Sequence, residues 1–447
     1  MKIISIIQDV YFNKNPLKLS DYEKGRKYFI YEGSTSMIIF SLAGGAFISG
    51  FANSLGATDG FNGIIGAIPA LTGVIQIFSS IFFEKIEHRK LLISLFSFLG
   101  RFLFGVMFLI PMFILNKGIS LYTLLFIYTI AFLLMGFVGP SISGWLVDLT
   151  PENIRGKYLA RKDAISLAFV TVATLAFGKA LDLFRNNNYE HVGFIIIGVG
   201  LIILAFLQLY FLSSIKEPLV NKKNNSVTLK KAILEPIMNK TFRKVVLLFV
   251  FWNIALFVAL PFFSVYMVTR LHLSYTYIMV MGLISAVARV FVVKYWGSLA
   301  DNKSWESATK YSIAALALCH FCWGFVNTQT AVFLVPIMNI LGGIAWGGVA
   351  ISLFNIQFLY APKQSRTIYI GGCAAYGGVI GFLSTIIGSR ILNALSHYNL
   401  SLNGFEFSNM QIIFLISGIL LGACSLYVHK FIEKKPVIKN NHLNYTN

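Results

Sequence analysis

The stretch Gly297–Lys303, which reads GSLADNK, is a short polar segment between two long apolar runs. A weaker copy, Ser80–Lys85 (SIFFEK), lies in the first half of the chain, and Glu84 precedes Asp301 by 217 residues. A single G-x-L-A-D pattern indicates little, but two copies at corresponding places indicate a duplicated chain.

The composition is that of a protein dissolved in lipid. Hydrophobic residues make up 56% of the 447 residues, charged residues only 12%, and the mean hydropathy is +0.72. A soluble domain has about 25% charged residues. The net charge of +19 is spread between hydrophobic runs, whereas nucleic-acid binding requires basic residues clustered on an exposed face. We therefore expect the lipid bilayer as a partner and no nucleic acid.

The cysteines do not indicate a metal site. Cys319, Cys322, Cys373 and Cys424 all lie inside apolar runs, where small polarizable side chains pack between helices. Cys319-His320-x-Cys322 offers too few ligands, because a closed site usually needs four that converge. We expect neither a metal nor a cofactor.

Twelve segments meet the length of about 20 apolar residues that a spanning helix needs. The fold class predicted is an all-α membrane protein with twelve transmembrane helices in two pseudo-symmetric six-helix halves. The predicted spans are residues 28–52, 61–83, 91–115, 120–147, 163–184, 192–214, 245–268, 275–297, 307–327, 330–357, 368–395 and 410–428.

The distribution of Lys and Arg predicts the orientation. With both termini cytoplasmic, only Lys117, Arg185 and Arg270 fall in loops on the outer side. No cleavable signal peptide is evident, because the apolar part of Met1–Ile7 is too short. The predicted organisation is a cytoplasmic lead-in (1–27), an N-terminal half (28–214), a cytoplasmic linker (215–244), a C-terminal half (245–428) and a cytoplasmic tail (429–447).

A second repeat supports the duplication. The pattern P-x-x-x-R-x-x-Y occurs at Pro151–Tyr158 after span four and at Pro362–Tyr369 after span ten, 211 residues later. The same offset places Lys179 of span five on Arg390 of span eleven. Repeated halves are typical of secondary transporters, in which the halves move against each other around a site near the midplane.

With these motifs the chain resembles the major facilitator superfamily over essentially its whole length. That family has a G-x-x-x-D-R-x-G-R-type motif between spans two and three and a weaker copy between spans eight and nine. Here the second copy, Gly297 to Asp301, is the better one. In the first, Ser80 replaces the glycine and Glu87 occupies the second glycine position. The family's antiporter signature on span five, G-P-x-x-G-G, is absent.

The resemblance implies that these loops form a latch that closes the cytoplasmic side when the cavity faces outward. Gly297 would let two backbones approach closely. Asp301 or Glu84 would meet a helix N-terminus, and arginines would supply charge-assisted partners. The alternative is that they are turn glycines and solvated loop charges. The latch candidates are Gly297, Asp301, Glu84, Lys85, Arg89, Arg155 and Arg366.

Ionisable side chains within spans are candidates for function, because burial in hydrocarbon is costly. The resemblance implies that span eight lines the cavity, so Arg289 is the leading cavity cation. Arg101, on the peripheral span three, is expected either near mid-depth in the cavity wall or in a structural pair with Glu32. Lys179 and Arg390 are outer-gate or substrate candidates. Lys179 could instead pair with Asp182 one turn away or extend to the headgroups.

Glu32 is the leading candidate for proton coupling, which the resemblance implies, while His320 on span nine is expected to be a packed helix residue. Neutral polar and aromatic side chains on cavity-type spans would complete a small-molecule pocket, although ordinary helix packing explains each one alone. These cavity candidates are Gln76, Trp252, Asn253, Asn339, Trp346, Asn355 and Tyr376.

The sequence thus predicts a secondary active transporter in the bacterial cell membrane that moves a small organic solute by alternating access as a symporter or antiporter. More cations than acids lie within the spans, which favours an anionic or zwitterionic substrate. One alternative is an exporter of amphipathic drugs. Others are a membrane sensor, which would not explain the paired repeats, and a membrane-embedded enzyme, for which no nucleophile–base pair is present. No Walker-type motif is present either, so nothing indicates ATP-driven transport. We expect a monomer.

Overall fold

Helices form almost all of the chain that the structure describes. The computed structural model describes residues 10–12, 16–84, 86, 88–218, 229–362, 366–395, 400–402 and 405–433. The first helix group comprises α1 Leu19–Leu42, α2 Gly45–Ser54, α3 Asp59–Glu84, α4 Lys90–Val106, α5 Ile110–Phe113, α6 Lys117–Asp148, α7 Glu152–Asn186 and α8 Glu190–Ser213. A 3-10 turn, Met107–Leu109, joins α4 to α5.

A short helix, α9 (Leu229–Met238), separates this group from the second. The second helix group comprises α10 Arg243–Phe257, α11 Leu260–Thr269, α12 Tyr275–Asn302, α13 Trp305–Trp323, α14 Ala331–Tyr360, α15 Arg366–Ala394 and α16 Asn409–Tyr427. Strands β1 Leu400–Leu402 and β2 Phe405–Phe407 form an antiparallel hairpin before α16. The chain continues as a π-helical turn, Val428–Ile432.

Ten helical stretches of the described chain are long and apolar enough to cross a membrane. The helices α3 and α13, of 26 and 19 residues, lie between them. Large apolar side chains such as Phe126 and Phe333 are 66% and 75% exposed, which a lipid environment accommodates without cost. These helices confirm the prediction of a helical membrane protein.

The first membrane-length segment of each group is broken at a corresponding place. In the first group α1 ends at Leu42, and Gly45 starts α2 with a φ of 53°, a left-handed conformation that glycine adopts without steric cost. In the second group α10 ends at Phe257, and Pro261 lies in the first turn of α11. Proline cannot donate a helical hydrogen bond and is tolerated at such a start. The two breaks lie about 215 residues apart.

Helices α3 and α15 pack closely against each other at glycine residues. A Cβ on Gly378 would lie 2.5 Å from the Ala70 carbonyl oxygen, and one on Gly73 would lie 2.7 Å from that of Ala374. Helix backbones approach this closely only where side chains are absent. The glycine cluster of α15 therefore forms a contact between the two helix groups, although Gly371 of the same helix faces open space.

The two membrane sides can be told apart by the elements that meet there. Gly25 of α1 contacts Leu149 and Ile215, which follow α6 and α8. The linker helix α9 contacts α3 and α15, and Asn239 Nδ2 donates to Tyr369 OH at 3.4 Å. We call this the linker side and the other the opposite side.

Candidate functional site

A buried ion pair joins α1 to α4 within the first helix group. Arg101 Nη2 donates to Glu32 Oε1 at 3.0 Å and to Ser36 Oγ at 2.6 Å, and Gln208 Nε2 of α8 donates to Glu32 Oε1 at 3.4 Å. Glu32 and Arg101 are 4% and 2% exposed. A charge so deeply buried needs a partner to be tolerated. The pairing of Arg101 with Glu32 is one of the two arrangements expected from the sequence.

This pair lines a cavity of about 410 Å³ between α1, α4, α6 and α7. Lys162 of α7 supplies a second cation, and Gly33 makes room for it, because a Cβ there would lie 2.8 Å from Lys162 Cε. Lys162 Nζ also lies 3.2 Å from Asp163 Oδ1, a highly exposed carboxylate. The other lining residues are Ser36, Met37, Phe40, Ser41, Met135, Gly139, Ile142 and Ser143.

Two polar atoms of the ion-pair network have no hydrogen-bond partner within the described chain. Arg101 Nε and Gln208 Oε1 are buried and have no hydrogen-bond partner among the described residues. Unsatisfied buried polar groups cost free energy, and of these two residues Arg101 lines the cavity. The arrangement of two cations, one carboxylate and three serines can bind a small solute with an acidic group.

Sequence analysis missed Lys162, Ser36 and Gln208. The predicted fifth span began at residue 163, so Lys162 counted as part of a loop. In the structure α7 begins at Glu152, and Lys162 lies almost three turns inside it. A helical extension of the apolar run toward Pro151 was the signal that could have placed Lys162 on the cavity wall.

Three of the neutral candidates of the second helix group, Trp252, Trp346 and Tyr376, pack in the same hydrophobic cluster. Trp252 and Trp346 pack edge to face, with ring centroids 6.0 Å apart. Asn253 Nδ2 donates to the Phe249 carbonyl at 2.7 Å, a bond within its own helix, and a Cβ on Gly377 would lie 2.9 Å from Asn253 Nδ2.

The remaining polar candidates lie on α3, α14 and α15. Asn339 and Asn355 likewise donate to carbonyl groups one turn earlier in α14. Tyr376 OH donates to the Ile233 carbonyl of the linker helix α9, and Gln76 is half-buried on α3.

Three candidate cations, Arg289, Lys179 and Arg390, have exposed side chains. None of them forms an ion pair with a described residue. The alternative pairing of Lys179 with Asp182 is not formed. Asp182 instead accepts hydrogen bonds from the backbone of α12. His320 is buried against Phe263, with Nδ1 2.8 Å from Ser417 Oγ, as expected of a packed helix residue.

Among the described residues, the latch candidates Gly297 and Asp301 of the second group have no contact that would form a latch in this conformation. A Cβ on Gly297 would meet open space, so the predicted close backbone approach is absent here. Asp301 is exposed and pairs with no cation in the described part of the chain. Lys85 and the side chains of Glu84 and Arg366 lie outside the described residues.

The first-group latch candidates bind elements of their own group. Arg89 Nε donates to Glu217 Oε1 at 3.1 Å, and Arg89 Nη2 lies 3.9 Å from Asp148 Oδ2. Arg155 donates through Nε and Nη2 to the Thr150 carbonyl at 3.3 and 3.1 Å. These contacts fix the loops after α3, α6 and α8 to one another.

The second group repeats this arrangement around Glu433. Its carboxylate accepts hydrogen bonds from Ser307 Oγ at 2.7 Å and Lys310 Nζ at 2.8 Å, and His429 Nδ1 lies 2.6 Å away. Burial opposes ionisation, but the hydrogen bonds from Lys310, His429 and Ser307 outweigh it and lower the pKa of Glu433 to about 2. Glu217 and Glu433 are 216 residues apart, and sequence analysis missed both.

Polar contacts join the two helix groups on the opposite side. Ser49 Oγ and Ser264 Oγ lie 3.2 Å apart, and these residues are themselves 215 positions apart in the chain. Arg270 Nη2 donates to Asp59 Oδ2 at 2.7 Å. The helices α2 and α11 therefore contact each other across the boundary between the helix groups.

Comparison with known proteins agrees with this architecture. The model of the Major Facilitator Superfamily matches residues 33–389. No curated protein matches the chain by sequence.

Solved structures match over nearly the whole chain. A mutant of the nucleoside transporter NupG has a TM-score of 0.72 at 12% identity and covers 92% of this chain and 100% of its own. The xylose transporter XylE from E. coli, in an inward open conformation, has a TM-score of 0.64 at 14% identity, covering 94% and 97%. A bacterial metal transporter has a TM-score of 0.63 at 10% identity, covering 94% and 100%. At these identities the likeness concerns the fold.

Proposed function

The chain belongs to the Major Facilitator Superfamily, and we propose that it is a secondary active transporter that moves a small organic solute by alternating access. The family consists of transporters and not of enzymes. The observation that supports the mechanism most is the position of the contacts between the helix groups. The two helix groups are joined by the contacts Ser49–Ser264 and Arg270–Asp59 on the opposite side. On the linker side, Gly297 and Asp301 have no partner among the described residues.

In this proposal the two helix groups are two six-helix halves of twelve spans. Ten of the spans are the stretches that are long and apolar enough by themselves, and α3 and α13 are the other two. The broken segments α1–α2 and α10–α11 each count as one span. The Ser49–Ser264 contact and the corresponding helix breaks support a pseudo-twofold relation. Helix α9 then belongs to the linker between the halves.

We place the linker side in the cytoplasm because loops on that side contain nearly all Lys and Arg outside the spans, as the positive-inside rule requires. The conformation described here is then inward-facing, closed toward the outside. The latch candidates Gly297 and Asp301 would find their partners when the cytoplasmic side closes. This explains why they have none in the present state.

The cavity between α1, α4, α6 and α7 is the proposed substrate site. Its volume of about 410 Å³ lies within the roughly 300–1,000 Å³ of small-molecule sites. Ionised Arg101, Lys162 and Glu32 leave one net positive charge on its wall. The substrate class supported best is therefore a small organic anion or zwitterion, with Arg101 and Lys162 as its counter-charges.

Glu32 gives this site a means of coupling to protons. A proton bound by Glu32 would remove the charge that Arg101 now faces at 3.0 Å, which leaves the guanidinium free to bind an acidic group of the substrate. Loss of the proton would restore the pair and displace the substrate. This mechanism predicts symport of a proton with an anion.

The amphipathic-exporter alternative has less support. It would use an aromatic wall, for which Trp252 and Trp346 are the best pair, but Trp252 is only 6% exposed and packs within the core of the second group. The buried cations of the first group would also be left without a role.

The test compares ligand binding and transport. Small carboxylates, phosphates, neutral sugars and nucleosides are screened by thermal shift on the purified protein, because a ligand of the native state raises the unfolding temperature. The hit is then tested for uptake into proteoliposomes under an imposed proton gradient without ATP. Lys162→Met should abolish the shift and the uptake, whereas the exposed Asp163→Asn should retain both.

Two outcomes would overturn the proposal. Binding of neutral solutes alone, unaffected by Lys162→Met, would refute the anion site. Uptake that requires ATP with no other protein present would refute secondary transport.

A further inference from the structure

The carboxylate of Asp182, near the end of α7, holds the first turn of α12 across the boundary between the helix groups. Asp182 Oδ1 accepts from the Tyr275 N–H and Oδ2 from the Thr276 N–H, both at 2.8 Å. The Tyr277 N–H is bound by the Ser274 side chain at 3.1 Å. The first N–H groups of a helix have no hydrogen-bond acceptor within that helix. Asp182 supplies acceptors for two of these groups in α12.

The ring of Tyr275 is inserted into the first helix group beside this bond. It is fully buried and stacks on Phe47, with ring centroids 5.9 Å apart. Its hydroxyl donates to Glu190 Oε1 at 3.2 Å and lies so close to Gly50 that no side chain would fit there. The Arg185 guanidinium lies 5.8 Å from the ring centroid. Tyr275 can leave this pocket only if α12 moves away from Asp182.

The duplicated position in the other half carries an amide. Asn393 of α15 corresponds to Asp182 and lies against Gly60 in the first turn of α3, where a Cβ would fall 2.6 Å from Asn393 Nδ2. Gly60 in turn precedes Tyr275 by 215 residues. Both halves thus place a short polar side chain at the partner half's helix start, but only Asp182 adds a negative charge. A carboxylate near a helix N-terminus is favoured by the helix dipole.

We propose that Asp182 is the gate residue of the opposite side, which keeps the transporter closed there and must release α12 in every transport cycle. The role in the cycle rests on the proposed alternating-access function, whereas the bias of the conformational equilibrium does not. Opening replaces the two hydrogen bonds with water, so the charge of Asp182 determines how often the gate opens. Removing it shifts the population toward the state that is open on the opposite side.

The test measures distances between the helix groups without substrate. Spin labels at Asn187 and Thr328, exposed loop residues on the opposite side, report the gate. Labels at Lys157 and Lys303, both exposed on the linker side, report the other end. The native cysteines are replaced by alanine. Asp182→Ala should raise the ratio of long to short Asn187–Thr328 distances about tenfold, which corresponds to roughly 1.4 kcal/mol, and shorten the Lys157–Lys303 distance.

Asp182→Asn keeps the shape of the side chain and is the second variant in case Asp182→Ala does not fold. It should shift the same ratio in the same direction by a smaller factor. Asn186→Ala, an exposed neighbour on α7, is the control and should leave both distances as in the wild type. Unchanged distances in a folded Asp182 variant, even with a lower unfolding temperature, would reduce Asp182 to a structural cap and overturn the proposal.

Transport assays separate the two claims. Shifted distances in a protein that moves no solute would sustain the gate and refute the proposed function. Wild-type distances in Asp182 variants of a protein that does transport would sustain the function and refute the gate.

Discussion

The carboxylate of Glu32 and the guanidinium of Arg101 have both been removed from water. The cost of desolvating two charges is offset by their attraction and by the added hydrogen bonds from Ser36 and Gln208, an arrangement that is strongly destabilised if only one partner is removed. Such a pair contributes little net stability. Its position on a cavity wall is better explained by a function in which the pair opens and closes.

Removing one member of the pair should therefore be costly. Glu32→Ala leaves Arg101 buried without its carboxylate and should lower the free energy of unfolding by about 3–5 kcal/mol. Chemical unfolding in detergent measures the change. Asp163→Ala, which removes an exposed carboxylate from Lys162, should cost no more than about 1 kcal/mol. An equal decrease in the free energy of unfolding in the two variants would show that burial does not make the Glu32–Arg101 pair more important for stability.

The stability contributed by Glu433 should depend on pH. Its pKa is lowered from the usual 4.5 to about 2, so its contribution is complete above pH 4.5 and is lost as the pH falls toward 2. Glu433→Gln should be less stable than the wild type by about 1 kcal/mol at pH 7, and the difference should shrink through this window. Thermal unfolding from pH 7 to pH 3 measures it, and a difference that does not change with pH would contradict the assignment.

At the scale of elements, helices α3 and α15 join the two helix groups by packing closely at glycine residues. The closest points are Gly378 against the Ala70 carbonyl and Gly73 against the Ala374 carbonyl. Backbone cannot yield as a flexible side chain can. The glycines therefore set the distance at which the groups pass each other.

A methyl group at this contact should separate the helices. Gly378→Ala should destabilise the protein by about 1–3 kcal/mol through overpacking and lower transport. Gly371→Ala, on the same helix but facing open space, is the matched control. Because alanine is a better helix former than glycine, the control should be neutral or slightly stabilising. A loss of stability in Gly371→Ala as large as that in Gly378→Ala would argue against close packing as the cause.

Changes in the proposed latch between α12 and α13 should affect transport more than stability. Asp301 is exposed and has no cationic partner in the described chain, so Asp301→Asn should leave the unfolding temperature unchanged. If Asp301 binds its partner in the other state, the variant should slow turnover severalfold. Uptake rates normalised to protein amount measure this, and wild-type turnover would leave Asp301 as a turn residue.

The sequence was sufficient to predict a helical membrane protein because apolar length is a local property. The contacts of single side chains were harder to predict. Asp182 has Lys179 one turn away, yet it binds the backbone of α12, since a buried helix start needs acceptors more than an exposed lysine needs a partner. The Arg101–Glu32 pair was predictable because each residue had few alternatives at its depth. Lys162 was missed because α7 extends beyond its apolar run.

At the scale of the whole molecule, the proposed duplication would account for the positions of the contacts. Ser49 and Ser264 contact each other across the boundary between the helix groups, Glu217 and Glu433 bind cations on the linker side of each group, and the segment breaks lie at corresponding places. In the proposed mechanism a pseudo-twofold axis would let the two groups rock against each other. Contacts on the opposite side, together with the absence of described partners for Gly297 and Asp301 on the linker side, fit the inward-facing state of the proposed alternating access.

The most direct test is to lock the axis contact. The Ser49 and Ser264 hydroxyls are 3.2 Å apart, so Ser49→Cys combined with Ser264→Cys places two thiols within disulfide reach. Solute uptake into proteoliposomes is measured after mild oxidation and again after reduction, with each single variant as a control. The account predicts that oxidation abolishes uptake only in the double variant and that reduction restores it. Uptake at the wild-type rate by the cross-linked protein would contradict alternating access.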